Sequence, residues 1–317
     1  MSTIPGQIFS HPGLMTAYGT PFLPFEFTGT GGRIFWVGNR SGLPVGNGSN
    51  PDYPFSTINT ALAACTSGRG DVVYVLPGHA EDISAADMWS ALVAGTKVIG
   101  LGSGSDRPTF SYTLATSTIL MNVANVLFDN MIFIMDTGTV TATVADGIVV
   151  SASGCTIRGC NIRAGTDANS NTTIAVRTTA GGDEFTFENN LCYQVAITAE
   201  GTTFLRLVGA DRAKIVGNYI KYATDTAGVG PVQCLTTAST DVVIANNYIW
   251  SAKAASTACI TGDVAGCNGA IRDNRLRNEL NTSLAHIVIT GADWSLFENY
   301  GVNDDNETGT LLGVVSA

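Results

Sequence analysis

Few side chains in this sequence could do chemistry, and they are scattered. Breaking a glycosidic bond takes two facing carboxylates, one protonated to serve the leaving oxygen and one ionised to act as base or nucleophile. Four acids, Asp129, Glu188, Asp273 and Glu298, recur at a turn beside an asparagine, but Gly159, Gly217 and Asn246 hold the matching place in other turns and break the column. Tight corners favour small polar residues, so these acids read as turn residues. Asp183 and Glu184, in a glycine-rich bend, read the same way. A basic set, Arg272, Arg275 and Arg277, with Arg158 and Arg163 further off, has the chemistry to meet an acidic sugar. Alternating charge around a strand corner serves equally for a solvated face or for pairing between subunits.

Other reactive patterns are incomplete. Asn303, Asp304, Asp305, Asn306 and Glu307 offer calcium-friendly oxygens without the glycine and distal glutamate of an EF-hand loop. His11, His79 and His286 lie too far apart in sequence to suggest a triad or a metal pair. No serine stands in GxSxG, and GLGSGS at 100–105 lacks both GK[ST] and a following helical pattern. The seven cysteines, Cys65, Cys155, Cys160, Cys192, Cys234, Cys259 and Cys267, are odd in number and form no CxxC pair, so they read as buried free thiols. Neither a catalytic residue nor a cofactor is predicted.

Composition limits what these residues serve. The chain has 317 residues, 45% of them hydrophobic and only 13% charged, with 36 glycines. Its surface is therefore mostly Ser, Thr, Asn, Gly and Ala, a surface suited to extensive contacts, since charge is what keeps monomers apart. A net charge of −10 with no run of Lys or Arg excludes nucleic acid and anionic membrane as expected partners, because both need a positive field. The opening MSTIPGQIFSHPG has neither a basic stretch nor an apolar one, and nothing downstream approaches the roughly 18 to 20 apolar residues of a span. Synthesis in the cytoplasm without a signal peptide is the expectation.

Four zones are predicted. Residues 1–38 are rich in Pro and Phe and lack helix or strand periodicity, which reads as an extended arm that docks through Phe9, Tyr18, Phe22, Phe25 and Phe27. Residues 39–70 carry a Gly/Asn/Pro loop and a short helix, N-capped by Ser56 and burying Ile58, Ala61, Leu62 and Cys65. Residues 71–300 hold the repeat, and 301–317 a C-terminal cap.

The repeat starts with DVVYVLPG and KVIGLGSG and becomes explicit in VLFDNMIF, TIRGCNIR, FTFENNLC, KIVGNYIK, VIANNYIW, AIRDNRLR and SLFENYGV. Aligning Asn130, Cys160, Asn190, Asn218, Asn247, Asn274 and Asn299 gives a period of 25 to 30 residues. A second β-rich run lies between successive turns: GIVVSA, IAVRTT, TFLRLV, VQCLTT, ACITGD and HIVITG. Short Val/Ile/Thr/Phe runs between Gly and Asn leave no room for helices, which excludes helical solenoids and predicts a right-handed parallel β-helix. About eight coils at roughly 4.8 Å each give a rod on the order of 40 Å. Asn tolerates left-handed backbone at a corner, and stacked Asn side chains bond successive backbones and each other, with Cys160 interrupting the ladder.

The loop-helix-strand segment SNPDYPFSTINTALAAC…GDVVYVLPGHAEDI, followed by Asn-turn coils, resembles the pectate-lyase-like right-handed β-helix superfamily, especially its tailed-phage members. That resemblance implies either a non-enzymatic virion protein of decoration, cement or head-fibre type, or a tailspike-like protein that binds or cleaves host polysaccharide. The first is the expectation, with the arm bound to the major capsid or another virion protein and the rods packed as a homotrimer.

Overall fold

The computed structural model describes residues 31–39, 42, 44–135, 144–165, 172–194, 203–222, 230–251, 258–262, 265–278, 286–289, 293–303 and 306–312. The chain winds as a right-handed parallel β-helix of about seven turns, with one α-helix among the described residues. Three sheets run along the rod. The first has ten parallel strands, from Ile34–Val37 and Val72–Val75 through Thr156–Arg158 and Val242–Ala245 to Asp293–Phe297. The second also has ten, from Ala80–Ile83 through Asn161–Arg163, Tyr219–Tyr222 and Arg275–Asn278 to Asn299–Asn303, with Asn306–Leu312 folding back antiparallel as its last strand. The third has seven, Ile119–Met121 to Ile287–Ile289. Eight full coils were expected; the third sheet begins only at Ile119, so the first coils lack a strand on that side.

The strands are short because each side of the coil needs only one or two inward side chains. In the first sheet, Val73, Val98, Phe128, Ile157, Phe187, Ile215, Ile244 and Ile271 form one inward column, each at most 1% exposed. Phe110, Phe133, Ile162, Cys192, Ile220, Ile249 and Leu276 form the matching column in the second, each at most 2% exposed. Burying each large apolar side chain is worth about 1.5–3 kcal/mol, so the stacked columns account for the cohesion of the rod. Parallel register puts like residues over like, and alternate residues of each strand face out.

At the N-terminal end the boundaries differ from expectation. Ile34–Val37, assigned to the arm, is the first strand of the first sheet, paired with Val72–Val75. Five residues between Gly31-Gly32 and Gly38 are too few to show periodicity. Its outer edge is covered by the loop: Trp36 N–H donates to Gly48 O at 2.9 Å and Phe55 N–H to Trp36 O at 2.8 Å. That pairing protects an edge that would otherwise template aggregation. Because Phe55 is held there, Ser56 stays in the loop. The helix, Ile58–Ala64, is capped by Thr57, whose Oγ1 accepts from Thr60 N–H. It buries Ile58, Ala61 and Leu62 against the first strands, while Cys65 is only partly buried.

Candidate functional site

The corner between the first and second sheets contains two neighbouring columns. Backbone in the left-handed region falls at Asn130 (φ 56°), Gly159 (61°), Asn189 (54°), Gly217 (69°), Asn246 (56°), Asp273 (57°) and Glu298 (47°). The next residue in each coil forms the buried ladder: Met131, Cys160, Asn190, Asn218, Asn247, Asn274 and Asn299. Asn130, expected in the ladder, is therefore one residue out of register. It is a corner residue, and its Nδ2 donates to Gly100 O and Gly102 O. Asn suits both columns, one by its left-handed tolerance and the other by its amide, which is why residue type alone misaligned it.

From Asn190 to Asn299 the ladder repeats one pattern. Each Oδ1 accepts from the backbone N–H of the ladder residue one coil earlier, at 2.9 to 3.2 Å. From Asn218 on, it also takes that residue's Nδ2–H. Each Nδ2 donates in addition to a carbonyl of the preceding coil, Ile157, Phe187, Ile215, Ile244 and Ile271 in turn. These asparagines are at most 2% exposed, so the ladder is a satisfied interior network with nothing offered to a ligand.

The candidate acids do not converge. Asp129 and Glu188 end strands of the first sheet on either side of Arg158, whereas Asp273 and Glu298 occupy the left-handed column, so the four belong to two columns. Asp129 pairs with Arg158 at 2.9 Å, Asp273 with Arg272 at 2.8 Å, and Glu184 with Arg212 at 3.2 Å. Asp183 Oδ1 accepts the N–H of Asp211. No group of three or more His, Cys, Asp or Glu able to hold a metal occurs among the described residues. In the 303–307 cluster, Asp304 and Asp305 lie outside them, as do the arm residues Phe9, Tyr18, Phe22, Phe25 and Phe27 and also His11.

His79 is buried, with Nε2 3.2 Å from Glu81 Oε2, and that oxygen accepts the first helical N–H, of Ile58. His286 Nε2 sits 2.9 Å from Val302 O, at the far end of the rod. Apart from the partly buried Cys65, the thiols are interior groups. Burial pushes Cys160 and Cys259 up to about 12, and Cys192 and Cys234 well above the usual thiol range. A shallow depression of about 360 Å³ at the N-terminal loop, lined by Gly46, Asn47, Ser49, Asn50 and Tyr53, carries no charged group.

The outer face of the second sheet is different. The residue three after each ladder position points outward, and the register gives Arg163, Tyr193, Lys221, Trp250 and Arg277 on five successive coils. Lys221 Nζ lies 3.8 Å from the Trp250 ring centroid and Arg277 Cζ 4.5 Å from the same ring. Arg163 Cζ lies 5.9 Å from that of Tyr193. The residue after each ladder position forms a second column: Asn161, Leu191, Tyr219, Tyr248, Arg275 and Tyr300. Tyr219 and Tyr248 stack at 5.1 Å and 3°. Leu191, Tyr219 and Tyr300 are 43%, 37% and 50% exposed. Neither column contains a carboxylate from Asn161 to Val302, in a chain whose net charge is −10. Arg163, Lys221 and Arg275 make no ion pair with a described residue.

The structure thus places Arg163, Arg275 and Arg277 on one face, Arg163 four coils from the other two, and sets Arg158 and Arg272 apart on the first sheet. Sequence reasoning missed Tyr193, Tyr219, Lys221, Tyr248, Trp250 and Tyr300. The signal was the odd positions after each asparagine, as in NYIK and NYIW, read down the repeat instead of along the chain.

Cations held over ring faces beside phenol hydroxyls form a strip whose chemistry suits an elongated anion with many acceptors. No protein-family profile matches the chain, and no curated protein does. Among solved structures it is similar to a rhamnogalacturonan lyase, at 12% identity and TM-score 0.40, over 86% of this chain and 66% of that one. It is similar to a pectin methylesterase solved with a hexasaccharide, at 12% identity and TM-score 0.43, over 84% of this chain and 89% of that one. A third is ORF18 of Geobacillus virus E2, at 10% identity and TM-score 0.25, over 78% of this chain and 57% of that one. This chain thus spans about two thirds of the lyase and less of the viral protein. At these values the likeness carries nothing over to this chain, whose parallel β-helix stands on its own strand pairing.

Proposed function

We propose that the outer face of the second sheet binds an extended acidic polysaccharide lying along the rod, the tailspike-like alternative, in preference to a purely structural role in a capsid. The observation that carries this reading is the acid-free strip of Arg163, Lys221, Arg275 and Arg277 interleaved with Tyr193, Tyr219, Tyr248, Trp250 and Tyr300. Trp, Tyr and Arg are also the residue types that anchor protein interfaces. Against that use stands the repetition of the strip at the coil step, which matches a polymer of repeating units. About 4.8 Å per coil is close to the length of one pyranose unit in an extended chain.

The reading is binding without cleavage. Asp129, Asp146, Glu184 and Asp273 are each paired with an arginine, and none faces a second carboxylate across the strip. Attachment to a phage particle through Phe9, Tyr18, Phe22, Phe25 and Phe27, and assembly as a homotrimer, belong to the same proposal and rest on the resemblance in sequence.

The test is titration of the full chain with polygalacturonate, hyaluronan and dextran at low and moderate salt, followed by tryptophan fluorescence, with Trp250→Phe isolating the part of the signal that comes from Trp250 among the four tryptophans. Binding to an acidic polymer, weakened by salt and by at least about tenfold in a Lys221→Met/Arg277→Met double variant, is the expected result. Binding unchanged in the double variant, or no binding to either acidic polymer, overturns the reading. Appearance of new reducing ends or unsaturated uronate would replace binding by catalysis.

A further inference from the structure

The strip is more specific than a positive surface. Along the column three residues beyond the ladder, charge alternates: Arg163, then Tyr193, then Lys221, then Trp250, then Arg277, one per coil. Cations therefore recur every second coil, on backbone positions about 10 Å apart at roughly 4.8 Å per coil, and the charged ends of Lys221 and Arg277, both drawn onto the Trp250 ring, lie no more than about 8 Å apart. The rings between them are neutral spacers that fix the cations by contact, at 3.8 and 4.5 Å on Trp250 and at 5.9 Å on Tyr193. Arg163 Nε and Trp250 Nε1 are themselves enclosed by their neighbours, so the ligand contacts of these side chains fall on their outer ends.

We infer that the ligand of this face carries one carboxylate on every second sugar, as in an alternating uronate–neutral disaccharide repeat. The inference rests on the reading above and deepens it. With one sugar per coil, carboxylates on alternate sugars meet Arg163, Lys221 and Arg277 in turn, while the intervening neutral sugars meet Tyr193 and Trp250. A polymer charged on every sugar would place half of its carboxylates against those rings, where no cation answers them and desolvation is uncompensated. The second column has the matching character for neutral hydroxyls: Tyr219 and Tyr248 present phenol groups on adjacent coils beside Lys221 and Trp250.

Like charges stacked one coil apart repel, so alternation also has a purely structural use. Ligand selectivity separates the two. The experiment compares decasaccharides of hyaluronan, with a uronate on every second sugar, and of polygalacturonate, with one on every sugar, against the full chain. The expected result is about tenfold tighter binding of the hyaluronan fragment, and a shift of preference toward the polygalacturonate fragment in Trp250→Lys, which fills the gap with a cation. Should Trp250→Lys fail to fold, Tyr193→Lys makes the same change one spacer away. Equal affinity for the two fragments, or tighter binding of polygalacturonate by the unaltered chain, sinks the spacing while leaving the face a polyanion site. Absence of binding to both sinks the site as well.

Discussion

Two columns run along about five coils of the rod only three residues apart on each coil, Asn218 beside Lys221 and Asn247 beside Trp250, and they obey opposite rules. Inside, identity repeats: each asparagine serves its neighbour as its neighbour serves the next, and all five are buried. Outside, identity is avoided and cation follows ring. A polar group in the core has to be satisfied by its stacking partner, and the amide, donor and acceptor at once, satisfies a copy of itself. A cation on the surface cannot do so. Sameness therefore marks the groups that hold the rod together, and alternation marks those left to meet something else.

The largest effect that would break this contrast comes from a mid-ladder substitution. Asn247→Ala removes the acceptor of Asn218 N–H and Nδ2–H and the donor to Ile215 O. It should destabilise the chain by about 3 kcal/mol, read as a lower denaturant midpoint with polysaccharide affinity retained in the folded fraction. The counterpart outside, Trp250→Ala, should shift the midpoint by no more than about 1 kcal/mol while weakening binding severalfold. A reversed ranking would mean that the outer column is the structural one.

Next comes the corner. Gly217 has φ 69° and a Cβ there would lie 2.5 Å from Asn189 Oδ1, so Gly217→Ala should cost about 2 kcal/mol in the same measurement. Gly159→Ala, with φ 61° and its nearest contact at 3.2 Å, should cost less, about 1 kcal/mol. A smaller change should go the other way. Cys160 already donates its N–H to Asn190 Oδ1, and its Sγ, 3.2 Å from Arg158 O, reaches only to 3.9 Å from Phe128 O, the carbonyl an asparagine amide would bond. Cys160→Asn should stabilise by about 1 kcal/mol, and a loss would show that the ladder needs the smaller side chain there.

The smallest effect is in alkali. Burial raises Cys160 and Cys259 from the ordinary value of 9.0 to about 12, so folding favours the neutral thiol. The associated stability is complete below pH 9.0 and drains away as pH rises towards about 12. Urea midpoints at pH 8, 10 and 11 should fall, and less steeply in Cys259→Ala. Equal slopes would assign the loss to the other groups that burial raises, Cys160, Cys192, Cys234, Tyr112 and Tyr222.

How much was legible follows from the same contrast. A column built on identity prints itself along the sequence, and Asn190 to Asn299 exposed the fold and the period without any structure. It misled only where one residue type suits two adjacent columns, at Asn130. A column built on alternation has no such signature: Arg163, Tyr193, Lys221, Trp250 and Arg277 share neither size nor charge, and only strand register shows that they are neighbours. The basic set was visible as three arginines around 272–277, but Arg272 and Arg275 end on different sheets because a left-handed residue, Asp273, turns the chain between them. The first strand was missed because Ile34–Val37 stands alone, with its partners nearly forty residues away.

The parallel winding also has a mechanical side. In this geometry every interstrand hydrogen bond, and the asparagine column with them, runs along the rod, so a pull on its two ends loads the coils in series. Such a rod peels at its weakest coil instead of shearing as a unit. A polymer laid along the second sheet from Arg163 to Arg277 would touch five coils at once and carry part of that tension across them, like a splint along a stack of rings.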